Sequence, residues 1–229
     1  MFKVFIDGSA GTTGLRIRGM LEKREDVQLI ELPEAQRKDP AARKDALSRA
    51  DVVFLCLPDD AAREAVALVE NPDTIVIDAS TAHRTSPGWA YGFPELSEQH
   101  RAAVAHGRRI ANPGCYASGF IALVYPLVKA GIVSSDYPFV CHAVSGYSGA
   151  GKKGIAEYEA EGRSASYDTP RLYALSLQHK HLPEMKAVCG LTRTPVFNPY
   201  VCDYYCGMTV SVPLFADLLN KPVSLAQLE

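Results

Sequence analysis

The stretch that decides the fold is KVFIDGSAGTTGLRIRGML, residues 3–21. Residues 3–7, KVFID, predict a strand, and Gly8, Gly11 and Gly14 then interrupt the chain. From residue 15 onward the apolar positions Ile17, Met20 and Leu21 recur at the spacing of an amphipathic helix. The stretch therefore predicts a strand, a glycine-rich loop and a helix that packs on a sheet.

The same alternation of strand and helix continues outward from this stretch. Residues 27–32 predict a second strand, and residues 51–57 and 74–77 form apolar runs typical of strands buried on both faces. Between the last two runs, helical spacing relates the apolar positions Ala62, Ala65, Val66 and Val69. Strict alternation of this kind predicts an α/β fold with a Rossmann-like, doubly wound parallel sheet.

The organisation changes near residue 112, where Asn112, Pro113 and Gly114 precede a long apolar stretch. We interpret residues 120–128 as a buried helix bent at Pro126. Residues 139–144 and 209–214 resemble strands of a mixed sheet. The sequence thus predicts a dinucleotide-binding domain over residues 1–114 and a second, α+β domain over residues 115–229.

Composition narrows the function. The chain has 229 residues, 47% of them hydrophobic, and 24 Lys and Arg against 26 Asp and Glu give a net charge of -2. It lacks the basic excess that nucleic acids or anionic membranes select. No apolar run approaches the ~20 residues that span a bilayer, and the six cysteines are scattered without CxxC pairs. We expect a cytoplasmic protein with reduced thiols and a small-molecule substrate, and neither a nucleic-acid nor a membrane partner.

The glycine loop is a candidate cofactor site. Glycines allow the backbone to approach a pyrophosphate, and the following helix N-terminus offers free N–H groups. The spacing GxxGxxG differs by one residue from the common fingerprint, so a ligand-free turn is the alternative. Glu31 ends the second strand, where an acid can hold the ribose 2′-OH of NAD, whereas Arg37 and Lys38 suit the 2′-phosphate of NADP. The predicted cofactor residues of the loop are Gly8, Ser9, Ala10, Gly11, Thr12, Thr13 and Gly14.

Cys115 is the candidate nucleophile. It follows a Pro-Gly turn and opens the predicted helix, where the helix dipole stabilises a thiolate. A buried structural cysteine is the alternative, and it suits Cys56 and Cys189 better because both lie in apolar runs. Cys202 and Cys206 are also interpreted as structural.

Two further segments carry polar groups. His179 and His181 lie in QHKHLPE and suit an acid/base pair, a metal site or a solvated loop, although no zinc spacing supports a metal and none is predicted. Residues 144–153, VSGYSGAGKK, predict a flexible loop that could receive a phosphate or carboxylate, with a plain solvated turn as the alternative.

Six motifs in register resemble one family. These are GSAGTTGL, DASTAHR, YGFPEL, ANPGCYA, VSGYSGAGKK and HKHLPEM, beginning at residues 8, 78, 91, 111, 144 and 179. Together they resemble the shorter type of N-acetyl-γ-glutamyl-phosphate reductase, in the semialdehyde dehydrogenase superfamily. The resemblance covers residue 1 to about residue 214.

The resemblance implies an enzyme of arginine biosynthesis, whose second domain, residues 115–229, serves catalysis and dimerisation. NADPH would reduce N-acetylglutamyl 5-phosphate to the 5-semialdehyde, releasing phosphate, through a thioester on Cys115. One of the two histidines would be the acid/base, with His181 preferred over His179. Arg84 and the segment from Ser145 would bind anionic groups, and the strand ends near Ser80 would line the nicotinamide crevice. The remaining implied site residues are Leu57 and Pro58 for the cofactor, and Asn112, Gly146, Ser148 and Gly149 for the substrate.

The resemblance fails at the C-terminus, because the family continues with a segment that returns to the cofactor domain, whereas this sequence stops at Glu229. We expect cofactor binding to survive this difference more readily than turnover. The alternatives are an enzyme like aspartate-semialdehyde dehydrogenase and a catalytically inactive dinucleotide-binding sensor. We expect a homo-oligomer, either a dimer or a tetramer.

Overall fold

The computed structural model of this chain describes residues 1–228. The chain divides into two compact units, Met1–Pro113 and Gly114–Glu229. In the first unit the strands are β1 (Phe2–Asp7), β2 (Val27–Ile30), β3 (Val52–Leu55), β4 (Ile75–Asp78), β5 (Ala90–Tyr91) and β6 (Arg109–Ala111). Its helices are α1 (Thr12–Leu21), α2 (Pro40–Arg49), α3 (Asp59–Ala67) and α4 (Glu98–His106).

The six strands of the first unit form one parallel sheet in the order β2-β1-β3-β4-β6-β5. The chain leaves β1 toward β2 on one side and later returns to place β3 on the other side. Ligands of such sheets bind at the carboxyl ends of the strands where the order reverses. The predicted α/β fold is confirmed, and the glycine loop after β1 lies at this reversal.

Helix α3 packs on the sheet as predicted, since Ala62 and Ala65 are fully buried. The prediction for α1 is wrong in part, because Met20 is 66% exposed and Gly14 is the buried residue of this helix. The helix approaches the preceding loop backbone at its first turn, where a Cβ on Gly14 would lie 2.4 Å from the Gly8 carbonyl oxygen. The close contact is therefore made by backbone at the helix start and not by an apolar side-chain face.

The second unit contains the helices α5 (Cys115–Lys129), α6 (Gly151–Tyr158), α7 (Leu182–Cys189) and α8 (Leu225–Leu228). Its strands are β7 (Val140–Gly146), β8 (Arg171–Leu172), β9 (Val196–Cys202) and β10 (Met208–Ser211). They form a mixed sheet in the order β10-β7-β9-β8, in which β7 and β9 are parallel and the other pairs antiparallel. The predicted α+β character of this part of the chain is confirmed.

The predicted flexible loop over residues 144–153 is wrong. Strand β7 extends through Ser145 and Gly146 because both residues pair with β9, and Ser145 also pairs with β10. A four-residue 3₁₀ turn follows, and Lys152 and Lys153 lie in α6. Hydrogen bonds in two directions hold this strand, so only the short turn remains outside regular pairing.

Across residues 1–228, no helix combines the length and the apolar character that crossing a membrane requires.

Candidate active site

The glycine loop joins β1 to α1 through a tight backbone contact. Gly8 has φ +89, and a Cβ at this position would lie 2.2 Å from the carbonyl oxygen of Cys56. The Gly11 N–H donates to the Gly8 carbonyl at 3.0 Å, and Gly11 is the N-cap of α1 without a side-chain cap. The first N–H groups of α1 are thus not covered by a capping side chain, as a phosphate-binding helix start requires.

A cavity of about 530 Å³ lies beside this loop. It reaches from the ends of β1 and β2 to the segment after β3, where Leu57 contributes to the wall. The predicted cofactor residues that line this cavity are Gly8, Ser9, Ala10, Leu57, Arg37 and Lys38. The volume and the glycine cradle fit the adenosine and pyrophosphate part of a dinucleotide.

The cavity wall contains two ion pairs. Arg43 donates from Nη2 to the buried carboxylate of Asp7 at 2.8 Å, directly before the glycine loop. Arg18 approaches Glu31 at 2.6 Å at the end of β2. Both acids are therefore already balanced by arginines of this chain.

Ser80 follows the carboxyl end of the parallel strand β4. Its hydroxyl donates to Asp78 Oδ2 at 2.7 Å and its N–H to Oδ1 at 2.9 Å, so its polar atoms serve the buried Asp78. Asp78 also meets His83 Nδ1 at 2.6 Å, and the His83 ring stacks on Trp89. Ser80 lies after β4, and Pro58 is the N-cap of α3. Within the described residues, neither lines the cavity beside the glycine loop.

Arg84 and Asn112, the predicted substrate residues of the first unit, contact each other. The Arg84 Nε donates to the Asn112 carbonyl at 3.0 Å, and Nη2 donates to the Ala79 carbonyl at 3.4 Å. The Asn112 N–H donates to the Asp78 carbonyl at 2.8 Å. Backbone groups at the ends of β4 and β6 thereby hold the guanidinium in a defined place.

Cys115 is the first residue of α5 and is exposed. The preceding Gly114 is the N-cap and has no side-chain oxygen, so the thiol lies at an open, positive helix end. Helix α5 is anchored by a buried stripe, which includes Phe120, Ile121 and Val124. The sulfur is therefore accessible on a rigid element.

Three other thiols have environments that oppose ionisation. Burial raises the pKa of Cys56 to about 11, with Asp7 and Asp78 adding to the shift. Burial alone raises the pKa of Cys141 and of Cys189 to about 12. These thiols stay protonated at neutral pH, which distinguishes them from an accessible thiol at a helix start.

The two predicted histidines precede α7 and contact the residue after Cys115. The Tyr116 ring lies 6.0 Å from that of His179 and 5.9 Å from that of His181, between centroids. The His181 backbone N–H donates to His179 Nδ1 at 3.1 Å. Because a backbone N–H can only donate, the Nδ1 atom of His179 is the unprotonated nitrogen of its ring.

His179 is held as a neutral imidazole. Aromatic rings surround it, with Phe197 at 5.0 Å and Tyr173 at 5.9 Å. Burial, and to a smaller extent the charge of the neighbouring Lys180, lower the pKa of His179 to about 4. This histidine therefore fixes its neighbour's backbone rather than carrying a charge at neutral pH.

This shift predicts a pH dependence of stability. Since the folded-state pKa of His179 lies below the ordinary value of 6.5, the unfolded chain binds the proton more readily. The free energy of unfolding should fall as pH decreases from about 6.5 to about 4 and should be unaffected by this group above pH 6.5. Urea midpoints measured across this range should fall less steeply for His179→Gln than for the wild type. The exposed His142→Gln is the control, and an unchanged slope for His179→Gln would contradict the burial argument.

Glu184 is a buried acid that sequence reasoning left without a role. It is 1% exposed, and its Oε2 accepts the Gly114 N–H at 3.1 Å. Thus the residues on both sides of Cys115 contact the segment from His179 to Glu184. The signal in the sequence was the position of Glu184 in the first turn of α7, three residues after His181. This signal was not decisive, because a glutamate on a solvent-exposed helix face can occupy the same position.

The predicted substrate residues of the second unit follow β7. Ser145 shares a hydrogen bond of 2.7 Å with the Tyr116 hydroxyl, and burial raises the pKa of that phenol. Gly146 ends the strand, and Ser148 and Gly149 lie in the following 3₁₀ turn. The structure therefore brings His179, His181 and Ser145 into contact with Tyr116, the residue that follows Cys115.

Among residues 1–228, no group of three or more His, Cys, Asp or Glu side chains is placed to bind a metal ion.

Comparison with protein families gives two matches. Residues 3–104 match the NAD-binding domain of semialdehyde dehydrogenases, and residues 115–229 match the dimerisation domain of the same enzymes. Both units of the chain are thus matched to domains of one enzyme class.

Two curated relatives are similar over nearly the whole chain. The N-acetyl-gamma-glutamyl-phosphate reductase 2 of Pseudomonas putida is 52% identical over 99% of this chain and 72% of its own length. The N-acetyl-gamma-glutamyl-phosphate reductase of a Chelativorans species is 50% identical over 93% of this chain and 68% of its own length.

Solved structures share the fold. A probable aspartate-semialdehyde dehydrogenase from Pseudomonas aeruginosa matches 99% of this chain and 77% of its own, with a TM-score of 0.72 at 15% identity. The NADP complex of aspartate semialdehyde dehydrogenase from Candida albicans matches 99% of this chain and 74% of its own, with a TM-score of 0.61 at 16% identity.

Proposed function

The chain belongs to the semialdehyde dehydrogenase family, and within it to the N-acetyl-γ-glutamyl-phosphate reductases, and from this membership we propose that it reduces N-acetylglutamyl 5-phosphate to N-acetylglutamate 5-semialdehyde and phosphate. The observation that carries the proposal is the exposed Cys115 at the start of α5, with Gly114 and Tyr116 on either side contacting the segment from His179 to Glu184.

Cys115 performs the covalent step in this proposal. Its thiolate attacks the acyl carbon, so that a C–S bond forms while the C–O bond to phosphate breaks and phosphate leaves. NADPH, when bound, supplies the hydride that reduces the resulting thioester. The C–S bond then breaks, and the thiolate is restored as the aldehyde is released. Splitting the reaction at a thioester replaces one difficult displacement by two easier steps.

We assign proton transfer to His181. His179 is a poor candidate because burial lowers its pKa to about 4 and its Nδ1 already accepts a backbone hydrogen bond. His181 is the N-cap of α7 and lies beside Tyr116, next to the nucleophile. It donates a proton to the leaving phosphate, or to the oxygen of the intermediate as hydride adds to the thioester, and in the second case it takes that proton back when the C–S bond breaks.

The anionic groups of the substrate are assigned to two sets of residues. Arg84 is the phosphate ligand, because a guanidinium has a planar set of N–H donors and two backbone carbonyls fix its place. Asn112 lies against it. The second set follows β7 and consists of Ser145, Gly146, Ser148 and Gly149.

The cofactor residues are assigned to the first unit. The glycine loop, Gly8–Ser9–Ala10–Gly11–Thr12–Thr13–Gly14, would hold the pyrophosphate at the start of α1. Arg37 and Lys38 line the adjoining cavity with Leu57, while Pro58 and Ser80 remain assigned to the nicotinamide end. We propose a cytoplasmic homo-oligomer, a dimer or tetramer, which the match to a dimerisation domain supports.

The reverse reaction tests this function. The protein should reduce NADP in the presence of N-acetylglutamate 5-semialdehyde, only when phosphate is added, with kcat/KM at least about 100-fold above that for aspartate semialdehyde. The rise in NADPH absorbance measures both rates. A preference for aspartate semialdehyde would identify the other enzyme of this fold, and NADPH binding without any turnover would identify a sensor.

A further inference from the structure

The wall of the cavity beside the glycine loop contains an acid, Glu31, at the position that distinguishes NADP from NAD in dinucleotide-binding folds. Glu31 follows β2, whose end lines this cavity. An acid at this position of a dinucleotide fold accepts the ribose 2′-OH of NAD. The same carboxylate repels the 2′-phosphate of NADP, which carries close to two negative charges.

Arg18 already engages this acid. Its Nη2 lies 2.6 Å from Glu31 Oε1, and its Nε donates to Glu22 at 2.7 Å. These carboxylates raise the pKa of Arg18, with the Glu22 hydrogen bond making the largest contribution and the charge of Glu31 the next. Arg18 is therefore a permanent cation, and Glu22 helps hold it against Glu31.

When the paired residues of the cavity wall are set aside, the remaining charged side chains have a net positive charge. Arg43 is balanced by Asp7, and Arg18 by Glu31. Arg37, Lys38 and Glu34 remain, and neither of these two cations forms an ion pair within residues 1–228. The wall thus offers two cations against one acid once Glu31 is neutralised.

We propose that Arg18 is the residue that determines cofactor selectivity, by neutralising Glu31 so that a 2′-phosphate can approach Arg37 and Lys38. The inference rests on the proposed function for its choice of cofactor, and it goes beyond that function in assigning the selectivity to one ion pair of α1 and β2. Without Arg18 the Glu31 carboxylate accepts a ribose hydroxyl and excludes the phosphate.

Equilibrium binding tests this without catalysis. Kd values for NADPH and NADH are measured by cofactor fluorescence, with no substrate present, for wild type, Arg18→Gln, Glu31→Gln and the double variant. Arg18→Gln should weaken NADPH binding about tenfold, which corresponds to about 1.4 kcal/mol, and change NADH binding less than about threefold. Glu31→Gln should bind NADPH at least as tightly as the wild type, and the double variant should regain most of the NADPH affinity that Arg18→Gln loses. Arg16→Gln, an exposed residue of the same helix, is the matched control.

Each outcome decides the inference. An unchanged ratio of NADPH to NADH affinity in Arg18→Gln overturns it. A double variant as weak for NADPH as Arg18→Gln also overturns it, because Arg18 would then bind the phosphate directly. If the wild type binds NADPH tightly, these failures leave the proposed function intact. If the wild type binds neither cofactor, the proposed function fails together with this inference.

Discussion

Replacing Cys115 with serine should lower kcat by at least about 10³-fold while the protein remains folded and binds NADPH as the wild type does. The serine hydroxyl has nearly the same shape, but it is not ionised at neutral pH and cannot form the thioester. Because Cys115 is exposed at a helix start, the substitution should change the free energy of unfolding by no more than about 0.5 kcal/mol. Steady-state kinetics, urea denaturation and a cofactor titration measure the three quantities.

A matched control for this variant is Cys206→Ser, because Cys206 is the other exposed cysteine among the described residues. It should retain wild-type turnover. Alkylation with iodoacetamide, followed by mass spectrometry, gives an independent measurement: Cys115 should react well before Cys56, whose pKa is raised to about 11. A Cys115→Ser enzyme with a tenth of the wild-type rate, or equal alkylation of the two thiols, would refute the nucleophile assignment.

The parallel sheet could be predicted because the apolar pattern of its longer strands is visible in the local sequence of each strand. The runs that became β3 and β4 are apolar on both faces, and only strands covered on both sides tolerate that composition. The helical spacing of Ala62 and Ala65 likewise reports a buried face. In contrast, β5 and β6 contain two and three residues, too few for any periodic pattern.

The errors have a common physical origin in contacts between distant parts of the chain. Met20 belongs to an apolar pattern that predicts burial, but it is exposed. Helix α1 instead makes its close contact through the backbone at Gly14, against the loop at Gly8, and a pattern of apolar side chains cannot predict a backbone contact. Ser145 precedes glycine-rich sequence that favours a loop, yet pairing with both β9 and β10 extends the strand through it.

The candidate site shows the same division. The start of α5 at Cys115 follows from a local signal, the Asn-Pro-Gly turn. Choosing between the two histidines required the ring contacts of His179 with Tyr173 and Phe197, which are 6 and 18 residues away in sequence and become neighbours only in the fold. The contact of Glu184 with Gly114 spans 70 residues and has no local signature.

Replacing Gly8 with alanine should destabilise the protein by about 2–4 kcal/mol and weaken NADPH binding at least about tenfold. The residue has φ +89, which strains any L side chain, and the added Cβ would lie 2.2 Å from the Cys56 carbonyl oxygen. Since that oxygen belongs to the backbone after β3, relief requires the loop to move away from the strand. Movement there displaces the N–H groups at the start of α1, which is the reason for the binding loss.

Substitutions at two other glycines of this segment distinguish an effect on stability from an effect on cofactor binding. Gly19 lies within α1 and has nothing within 4 Å of an added Cβ, so Gly19→Ala should be neutral or stabilise by up to about 1 kcal/mol. Gly11 has φ -74, and its added Cβ would be 3.4 Å from the Gly8 carbonyl oxygen, an ordinary contact. Gly11→Ala should therefore keep wild-type urea stability yet bind NADPH more weakly, because the pyrophosphate needs a bare backbone there. If Gly11→Ala binds NADPH with full affinity while Gly8→Ala is merely unstable, the loop is a folding element and the cofactor does not lie on it.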